Sequence, residues 1–393
     1  MKICFVTSNI FSSGGVQRVT TVLANELAKY NEVDILCTSD KYKPNYELYN
    51  LNKSINVEIN GIMHKKRLIS KLVCKSLMIL NNKTGIFNKN KGINILNKVY
   101  FPGEIQKNFL EYLNTKKYDV IIAVEALYSM LIGSIANELN AKTIGWQHNS
   151  YEAYFQTKDK YCWNIDKMFK RNISMLDKCV VLTEHDKNKI KEKMGIKSIC
   201  IYNPLSFTSE QKSNCNNRNI LSVGRLVQEQ KGFDLLLDAY KIVSKKHPNW
   251  KLIIVGDGPD KEKLENKILE LQLVNNVEIR PFTTNVNYYY LNSSIFVSSS
   301  RWEGFGLVIT EAMECGLPVV AFANSGPKEI INKDGINGIL VPTKNVKELA
   351  LQIISLIENH DKRKDMSIKA IERAQDFNVK SVVEKWKRVL ELL

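Results

Sequence analysis

The sequence predicts an α/β protein made of two doubly wound parallel sheets. Short apolar runs alternate with stretches of helical periodicity, and turn residues separate them, a pattern typical of β-α-β units. The chain has 393 residues, and this length fits two domains of about 150–200 residues each better than a single core. The composition, 44% hydrophobic and 25% charged, is that of a soluble globular protein.

Twelve apolar runs are predicted to be strands, six in each half of the chain. In order they lie near residues 2–7, 33–37, 119–124, 142–146, 178–183, 198–202, 219–224, 251–255, 276–280, 294–298, 318–322 and 338–341. The polar stretch Ser209–Asn219 between the two sets has no apolar period and is predicted to be a linker. The tail from Val379 to Leu393 has an amphipathic helical pattern around Trp386. We therefore expect two domains that face each other across a cleft.

The segment SSSRWEGFGLVITEAMECGLPVVAF carries the strongest functional signal. Its glycine-rich loop leads into a helical pattern, and the first amides of a helix suit an anionic ligand. Glu303 and Glu311 flank this loop, and carboxylates repel phosphate, so they are better suited to accept hydrogen bonds from sugar hydroxyls. Two solvated acids on one surface helix are the ordinary alternative, but Gly304 and Gly306 interrupt such a helix. The segment therefore indicates a nucleotide-sugar site.

Three further loops at predicted strand ends carry candidate residues. Gly14 and Gly15 follow the first strand, where glycine lets the backbone approach a phosphate, although any strand-to-helix turn uses such residues. Arg225 and Lys231 follow the first strand of the second half and could clamp a diphosphate, although such a pair is more often solvated. His148 follows an apolar run, and a lone histidine in this position is as often structural as functional.

The positive charge is concentrated in the first half of the chain. The net charge is +15, and residues 1–200 contain 30 basic and 18 acidic residues against 26 and 23 in residues 201–393. The stretch Gly61–Val99 has nine basic residues, no acid, and apolar residues at mostly helical spacings. Such a stretch attracts anionic lipid head groups at about 1 kcal/mol per cation. We expect it to bind an anionic membrane surface; a solvated helix, a nucleic-acid patch and a phosphate-rich acceptor site are the alternatives.

The remaining features point to the cytoplasm. No apolar run approaches the roughly 20 residues that span a bilayer, and the amino-terminal run reaches Ser-Ser-Gly-Gly too soon for a secretory signal. The eight cysteines are scattered without a CxxC pair, which favours reduced, buried thiols over disulfides or a zinc site.

Taken together, these motifs resemble bacterial glycosyltransferase family 4, whose members are retaining enzymes with the GT-B fold. The strongest sign is the spacing of Glu303 and Glu311 around GFGLVITEA, with GLPVVA downstream. GRLVQEQKG from Gly224 to Gly232, GDGP and the amino-terminal GG-x-x-R support the resemblance. WQHNSYEAYF and SGPKEII are similar to members that assemble capsules and exopolysaccharides. The resemblance extends from residue 6 to about residue 342.

The resemblance implies a division of the chain into two Rossmann-like domains and a tail. Residues 1–205 would form the acceptor-binding domain and residues 206–375 the nucleotide-sugar-binding domain. Residues 376–393 would form a helix that crosses back to pack on the amino-terminal domain.

The resemblance also implies which residues bind the donor's phosphates and nucleoside. The backbone at Gly14 and Gly15 would meet the diphosphate, and Arg225 and Lys231 would neutralise it and stabilise the charge that builds on the leaving group. Glu311 would accept hydrogen bonds from the ribose.

A further set of residues would bind the nucleobase and the transferred sugar. The backbone at Arg280 and Pro281 would meet the base, and His148 would lie near the anomeric carbon, to bind the sugar or stabilise an oxocarbenium-like transition state. Glu303 would hold the sugar and the distal phosphate together with the amides of Gly304, Phe305, Gly306 and Leu307.

The implied reaction moves a hexose or N-acetylhexosamine from a nucleotide sugar to a lipid-linked saccharide at the inner face of the plasma membrane. A UDP-sugar is the expected donor, with GDP-mannose second, and no nucleic-acid partner is expected. No second carboxylate nucleophile is evident, so we expect front-face substitution in which the departing phosphate takes the acceptor's proton. We find no D-x-D motif in a strand context and therefore expect no metal and no cofactor.

Two alternatives remain at this stage. A nucleotide-sugar epimerase of the same fold would use acids and histidines in other loops. A basic membrane-binding protein without catalysis would act through Gly61–Val99 alone. The presence of four candidate site residues argues against the membrane-binding alternative, because a protein without catalysis has no physical need of all four. They are Arg225, Lys231, Glu303 and Glu311.

Overall fold

The computed structural model of the protein describes residues 1–64 and 68–393, and the chain divides into two units. The first unit contains residues 1–204 and 382–393, and the second contains residues 205–381. Lys65, Lys66 and Arg67 of the predicted basic stretch lie outside the described residues. The chain therefore leaves the first unit once and returns to it with its final residues.

The first unit contains a seven-stranded parallel sheet in the order β3-β2-β1-β4-β5-β6-β7. Its strands are β1 (Lys2–Thr7), β2 (Glu32–Cys37), β3 (Asn56–Ile59), β4 (Val120–Val124), β5 (Lys142–Trp146), β6 (Lys178–Val181) and β7 (Ile199–Cys200). Its helices are α1 (Gly15–Leu27), α2 (Leu68–Thr84), α3 (Ile93–Tyr100), α4 (Gly103–Lys116), α5 (Glu125–Ile135), α6 (Tyr151–Gln156), α7 (Asp166–Ile173) and α8 (Glu184–Met194).

The second unit contains a six-stranded parallel sheet in the order β10-β9-β8-β11-β12-β13. Its strands are β8 (Asn219–Val223), β9 (Lys251–Val255), β10 (Val277–Arg280), β11 (Ile295–Ser298), β12 (Val319–Phe322) and β13 (Ile339–Val341). The remaining helices are α9 (Gln228–Lys231), α10 (Phe233–Lys246), α11 (Lys261–Glu270), α12 (Asn287–Leu291), α13 (Leu307–Glu314), α14 (Ser325–Ile330), α15 (Val346–Glu358), α16 (His360–Ala374) and α17 (Val379–Glu391).

Each of the twelve predicted strands overlaps a strand of the structure, and the predicted fold class is confirmed. Central strands such as β4, with the sequence VIIAV, are buried at every residue, because helices cover both faces of a parallel sheet. The sequence analysis missed β3. This four-residue strand pairs only with β2, and its residues are exposed or partly buried, so it lacks a continuous apolar run.

The prediction that Ser209–Asn219 is a linker is wrong. The stretch belongs to the second unit, and its polar groups are hydrogen-bonded to the body of that unit. The amide of Ser213 donates to the carbonyl of Cys315, and the Ser213 hydroxyl donates to the carbonyl of Ser293. A polar segment without periodicity can pack in this way when its serine and asparagine side chains bond the backbone.

The carboxyl-terminal helix returns to the first unit, as predicted. Trp386 on α17 is fully buried, and its ring lies edge-on to Trp146, with ring centroids 5.0 Å apart. Trp146 in turn packs against the ring of His148 at 4.3 Å. The last helix thus supports the end of β5, where a candidate site residue lies.

The order of the strands reverses at one place in each sheet. In the first sheet the reversal lies between β1 and β4, and in the second between β8 and β11. The chain leaves these two neighbouring strands toward opposite faces, which opens a crevice at their carboxyl ends, and ligands of doubly wound proteins bind there. These two switch points are therefore where functional side chains are expected.

Candidate active site

The switch point of the second sheet brings together two loops that are distant in sequence. Gly224 and Arg225 follow β8, and the loop Ser299–Gly306 follows its neighbour β11. Arg301 fixes one loop on the other, because its guanidinium donates to the carbonyl of Gln228 and forms an ion pair with Asp234 at 2.6 Å. The two loops are thus joined at the carboxyl end of the sheet. We call this region, residues 224–232 and 299–306, the rim.

Lys231 and Glu303 form an ion pair within this rim. The ammonium of Lys231 lies 2.7 Å from a carboxylate oxygen of Glu303, and the two side chains are only 15% and 13% exposed. The Ser299 hydroxyl also donates to the carbonyl oxygen of Lys231. Next in the chain, Gly232 has φ of +63°, and a Cβ there would lie 2.1 Å from the Ser299 carbonyl oxygen. Only glycine allows this close approach, which brings the loop that carries Lys231 against the loop that carries Glu303.

Arg225 lies in the same loop as this ion pair. Its side chain is exposed, and within residues 1–64 and 68–393 its guanidinium has no hydrogen-bond or ion-pair partner. A Cβ at neighbouring Gly224 would lie 3.4 Å from the side chain of Lys231, so the lysine packs directly over the glycine. A solvated cation next to a paired one leaves positive charge at the rim available for an anion.

The glycine-rich loop ends at the first turn of α13. Gly306 has φ of +112°, a conformation that L side chains rarely adopt. Gly304 and Phe305 are buried, and α14 packs so closely on the loop that a Cβ at Gly326 would lie 2.0 Å from the Phe305 carbonyl oxygen. In the described part of the chain, the amides of Gly304, Gly306 and Leu307 donate no hydrogen bond. These donors suit an anionic or polar ligand.

Glu311 lies on α13 and is fully buried. One carboxylate oxygen accepts a hydrogen bond from the Tyr290 hydroxyl at 3.0 Å, and the other accepts one from the Ser206 hydroxyl. Glu311 therefore already has hydrogen-bond partners within the protein. Its predicted contact with a ribose is an addition to this network and stays a prediction.

Arg280 and Pro281 lie away from the other candidates of the second unit. Arg280 is the last residue of β10, and Pro281 follows it. Because β9 lies between β10 and β8, about 10 Å separates β10 from the strand that precedes Arg225. The carbonyl of Arg280 accepts a hydrogen bond from the amide of Gly256, and its guanidinium pairs with Glu278. The predicted contact of Arg280 and Pro281 with a nucleobase stays a prediction.

In the first unit, Gly14 and Gly15 lie at the amino terminus of α1, next to the end of β1. The amide of Gly14 donates to the Tyr49 hydroxyl at 2.9 Å, so that donor is already engaged. Gly15 is the first residue of α1, and its amide belongs to the helical turn whose N–H groups have no intrahelical acceptor. Of the two predicted glycines, Gly15 is the one placed to donate to a ligand.

His148 follows β5 and is only 7% exposed. Its amide donates to the Tyr154 hydroxyl at 3.2 Å, whereas its ring atom Nε2 is buried without a hydrogen-bond partner. Burial lowers the pKa of the imidazole to about 3, because the charged form is poorly solvated there. The ring is therefore neutral at physiological pH, and it offers a hydrogen bond rather than a positive charge.

The sequence analysis missed Glu125, the first residue after β4. It is partly exposed and has φ of +71°, which is rare outside glycine. Burial raises the pKa of its carboxyl to about 7. The signal was present in the sequence, since Glu125 directly follows the apolar run VIIAV as His148 follows its own run.

A second polar cluster in the first unit is explained by the helices that it caps. Glu152, His185 and Asp186 offer ligand atoms within 4.8 Å of one another. However, the carboxylate of Asp186 already accepts hydrogen bonds from the amide of Tyr151 and the hydroxyl of Thr183, and Thr183 accepts one from the amide of Asp186. Thr183 is thus the N-cap of α8, and Asp186 links the starts of α6 and α8.

Comparison with known proteins identifies the family. The family described as "Glycosyl transferases group 1" matches residues 207–373. An uncharacterised glycosyltransferase of Haemophilus influenzae is 31% identical over 392 residues, which is 99% of each chain. The amylovoran biosynthesis glycosyltransferase AmsD of Erwinia amylovora is 26% identical, again over 99% of each chain.

Solved structures show the same fold. HepE of Anabaena, solved in complex with UDP, superposes with a TM-score of 0.77 at 19% identity over 100% of each chain. TarM of S. aureus has a TM-score of 0.75 at 18% identity over 98% of this chain and 99% of its own. The chain belongs to the glycosyl transferases group 1 family, and it is a glycosyltransferase with the GT-B fold.

Proposed function

We propose that the protein is a retaining glycosyltransferase of family 4 that moves a hexose or N-acetylhexosamine from a UDP-sugar to a lipid-linked saccharide during synthesis of a bacterial surface polysaccharide. The observation that carries this proposal is the pairing of Lys231 with Glu303 beside the solvated Arg225, at the switch point of the second sheet. Cations bind a diphosphate, and a carboxylate accepts sugar hydroxyls, so this arrangement fits a sugar attached to a diphosphate.

The second unit supplies the donor site in this proposal. Arg225 and Lys231 neutralise the diphosphate and stabilise the charge that develops on the departing UDP, which is the kind of term that dominates many enzymatic rates. The amides of Gly304, Gly306 and Leu307 donate to the distal phosphate or to the sugar. Glu303 then exchanges part of its ion pair for hydroxyls of the bound sugar.

The choice of UDP is supported by what related proteins bind. HepE has been solved with UDP-glucose, and TarM with UDP and an α-GlcNAc-glycerol. We propose UDP-hexose or UDP-N-acetylhexosamine for this chain, with the ribose near Glu311 and the base near Arg280 and Pro281. GDP-mannose is the second candidate donor.

The acceptor is proposed from the relatives and from the charge of the first unit. AmsD is named for amylovoran biosynthesis, and an S. aureus relative, 28% identical over 253 residues, is a poly(ribitol-phosphate) alpha-N-acetylglucosaminyltransferase. No helix in residues 1–64 and 68–393 is long and apolar enough to cross a bilayer. We propose that Gly61–Val99 holds the enzyme on anionic lipid at the inner face of the plasma membrane, where a lipid-linked acceptor is presented.

We propose front-face substitution as the mechanism. The bond between the anomeric carbon and the phosphate oxygen breaks, the bond to the acceptor oxygen forms on the same face, and the acceptor's proton passes to the departing phosphate. The neutral ring of His148 donates or accepts a hydrogen bond beside the anomeric carbon. Arg225 and Lys231 take the place of a metal ion, so we expect transfer to continue in EDTA. Loss of transfer in EDTA that a divalent cation reverses would contradict this part of the proposal.

A panel of nucleotides tests the donor. We expect UDP and one UDP-sugar to raise the melting temperature more than GDP or GDP-mannose, because a ligand of the folded state stabilises it in proportion to the logarithm of its concentration over its Kd. Glu311→Gln keeps the shape of the buried side chain and should reduce this shift. Tyr290→Phe, which removes one partner of Glu311 but not the carboxylate, should preserve the shift. Preference for GDP would contradict the choice of UDP and favour GDP-mannose. An epimerised UDP-sugar formed without acceptor would contradict glycosyl transfer.

A further inference from the structure

We propose that Glu125 binds the acceptor: its carboxyl accepts a hydrogen bond from the hydroxyl group that attacks the donor sugar. This inference rests on the proposed function and adds to it a residue of the first unit that contacts the reacting hydroxyl. It also assigns a chemical class to the group bound there, an uncharged polyol or sugar hydroxyl.

The position of Glu125 in the sheet is the first support. Glu125 directly follows β4, and the order of the first sheet reverses between β4 and β1. On the other side of this switch point, β1 leads to Gly14 and Gly15. β5 lies on the far side of β4, and its last paired residue, Trp146, is in register with Val124. Glu125 thus lies between the glycine loop and His148 in the row of strand ends where ligands bind.

The backbone of Glu125 is the second support. Its φ of +71° is held in place by Ser129, whose hydroxyl lies within hydrogen-bond distance of the carbonyl oxygens of Glu125 and Ala123. Gln147 in turn donates from Nε2 to the Ser129 hydroxyl at 2.9 Å. A left-handed turn that needs only to start a helix is met more easily by glycine or asparagine. Strain of this kind at a strand end is typical of a functional position.

The carboxyl of Glu125 has no structural task that would explain it. It makes no capping hydrogen bond to α5, and within residues 1–64 and 68–393 it has no hydrogen-bond or ion-pair partner. Its pKa is raised to about 7 by burial alone, so no nearby cation offsets the loss of solvent. A partly buried carboxyl without a partner is costly to the fold and is retained where a ligand uses it.

Two further polar groups at the end of the neighbouring strand β5 also lack a hydrogen-bond partner among the described residues. The Oε1 atom of Gln147 and the Nε2 atom of His148 are buried without hydrogen-bond partners, and these are the first two residues after β5. The set consists of the amide oxygen of Gln147, the neutral imidazole of His148 and the carboxyl of Glu125, which has no cation beside it in the described part of the chain. Such groups are suited to hydrogen bonds with hydroxyl groups. An anionic acceptor group would be repelled by Glu125. The set therefore fits a sugar or polyol hydroxyl. Its hydrogen bond to Glu125 orients the oxygen before attack and is given up when its single proton passes to the departing phosphate.

The test uses the full chain and water as the simplest acceptor. UDP release from UDP-glucose and UDP-N-acetylglucosamine is measured for the wild-type protein, Glu125→Gln and Glu125→Gly, together with the melting temperature at pH 8 with and without UDP. The glycine variant suits the left-handed backbone, so it removes the carboxyl without adding strain. Glu111→Gln, an exposed glutamate on α4 of the same unit, is the matched control.

We expect both Glu125 variants to release UDP at least tenfold more slowly, with the UDP-induced shift unchanged and a melting temperature equal to or above that of wild type. Unchanged UDP release would overturn the inference. A lower melting temperature or a lost UDP shift would also overturn it, because Glu125 would then be structural or part of the donor site. A wild-type protein that UDP does not stabilise would instead contradict the UDP-sugar donor of the proposed function.

Discussion

Lys231 and Glu303 show how one ion pair prepares a site for a ligand of mixed charge. The two residues are 72 positions apart, yet their side chains meet at 2.7 Å in a rim that solvent reaches only slightly. In the proposed donor site, this pairing positions the lysine before a phosphate binds and the carboxylate before a sugar binds. Little order would then have to be created on donor binding.

Replacement of this lysine tests its role in the chemical step. We expect Lys231→Ala to lower the rate of glycosyl transfer by about 10²–10³-fold, the range found when one group that stabilises developing charge is removed. Steady-state kinetics with a saturating UDP-sugar measure this loss. The stability should fall as well, because Glu303 would be left as a poorly solvated charge.

Lys369→Ala is the control for this substitution. Lys369 pairs with Glu372 at 2.8 Å on the exposed surface of α16 in the same unit, so its removal changes the net charge equally. We expect wild-type kinetics from this variant, since exposed pairs contribute little. Equal losses in the two variants would show that net charge, and not the position of Lys231, explains the effect.

His148 predicts a specific dependence of stability on pH. Its pKa is about 3 in the folded protein because of burial, against about 6.5 in an unfolded chain. Between these values the unfolded state binds more protons, so the free energy of unfolding falls as the pH is lowered from 6.5 toward 3. The size of this loss is on the order of a few kcal/mol.

Substitution of His148 isolates this contribution. We expect His148→Gln to be less stable than wild type at pH 8, where it loses the ring contact with Trp146, and the difference to narrow as the pH falls to 4.5. Melting curves across this range measure it. His360→Gln, at an exposed histidine, should follow the wild-type curve in parallel. A difference that stays constant for His148→Gln would contradict burial of a neutral ring.

The candidate site could be predicted from the sequence only in part. Residues that directly follow an apolar run, such as His148 and Arg225, can be found because ligands bind at the ends of parallel strands. The partners of Glu311 could not be found, since Tyr290 reaches it from α12 and Ser206 from a loop that is distant in sequence. The left-handed backbone of Glu125 was also out of reach, because the turn chemistry of a strand end favours glycine and gives no sign of a strained acid.

At the level of elements, a strand can be predicted from the sequence when both of its faces are buried. Strands covered on both faces have continuous apolar runs and were found from them, whereas β3 at the sheet edge has the sequence NVEI and was not. The segment before β8 is packed although it has no apolar pattern, and the prediction of a linker there is wrong for this reason. Its polar side chains bond to backbone groups, and a hydrophobicity pattern does not record hydrogen bonds.

Helix α2 has an unusual distribution of apolar side chains. Leu72, Val73, Ile79 and Leu80 are 63%, 53%, 48% and 44% exposed. Their spacing places them along one side of the helix, and Lys75 and Lys83 are exposed on the same helix. An apolar stripe among cations is the arrangement of a helix that lies in a lipid interface, with its apolar side chains among the acyl chains.

We expect Leu72→Asn combined with Leu80→Asn to weaken binding to vesicles that contain phosphatidylglycerol, because both apolar contacts are lost. Flotation at low and high salt measures the effect, and wild-type binding should decrease with salt. Leu351→Asn, at a residue of α15 that is 55% exposed, is the matched control. Failure of the wild-type protein to float with these vesicles at low salt would contradict membrane binding, and salt-sensitive binding to duplex DNA would favour the nucleic-acid alternative.

At the scale of the whole molecule, the dominant feature is that the first unit is assembled from both ends of the chain. Residues 382–393 belong with residues 1–204, and Trp386 fills the space beside Trp146. Helix α17, which carries Trp386, completes this core. The first unit therefore depends on residues that follow the whole of the second in sequence.

Trp386→Ala should destabilise the first unit selectively. Truncation of a buried tryptophan costs about 3–5 kcal/mol, and we expect faster amide hydrogen exchange in residues 1–204 with little change in residues 205–381. Hydrogen exchange followed by mass spectrometry measures both at once. Leu392→Ala, at a residue 71% exposed just beyond the same helix, should leave both units unchanged. Equal acceleration in the two units would show that they unfold together.

The return of the chain also sets the order in which the protein can be made. Domains generally fold as units, with the amino-terminal one first, while the ribosome is still adding residues. Here the first unit stays without Trp386, the partner of Trp146, until the ribosome has added residues 382–393. The second unit, whose residues are continuous, can fold before the first is complete. A ribosome that stops between residues 381 and 386 would thus release a chain whose second unit is complete and whose first unit exposes Trp146 to chaperones and proteases.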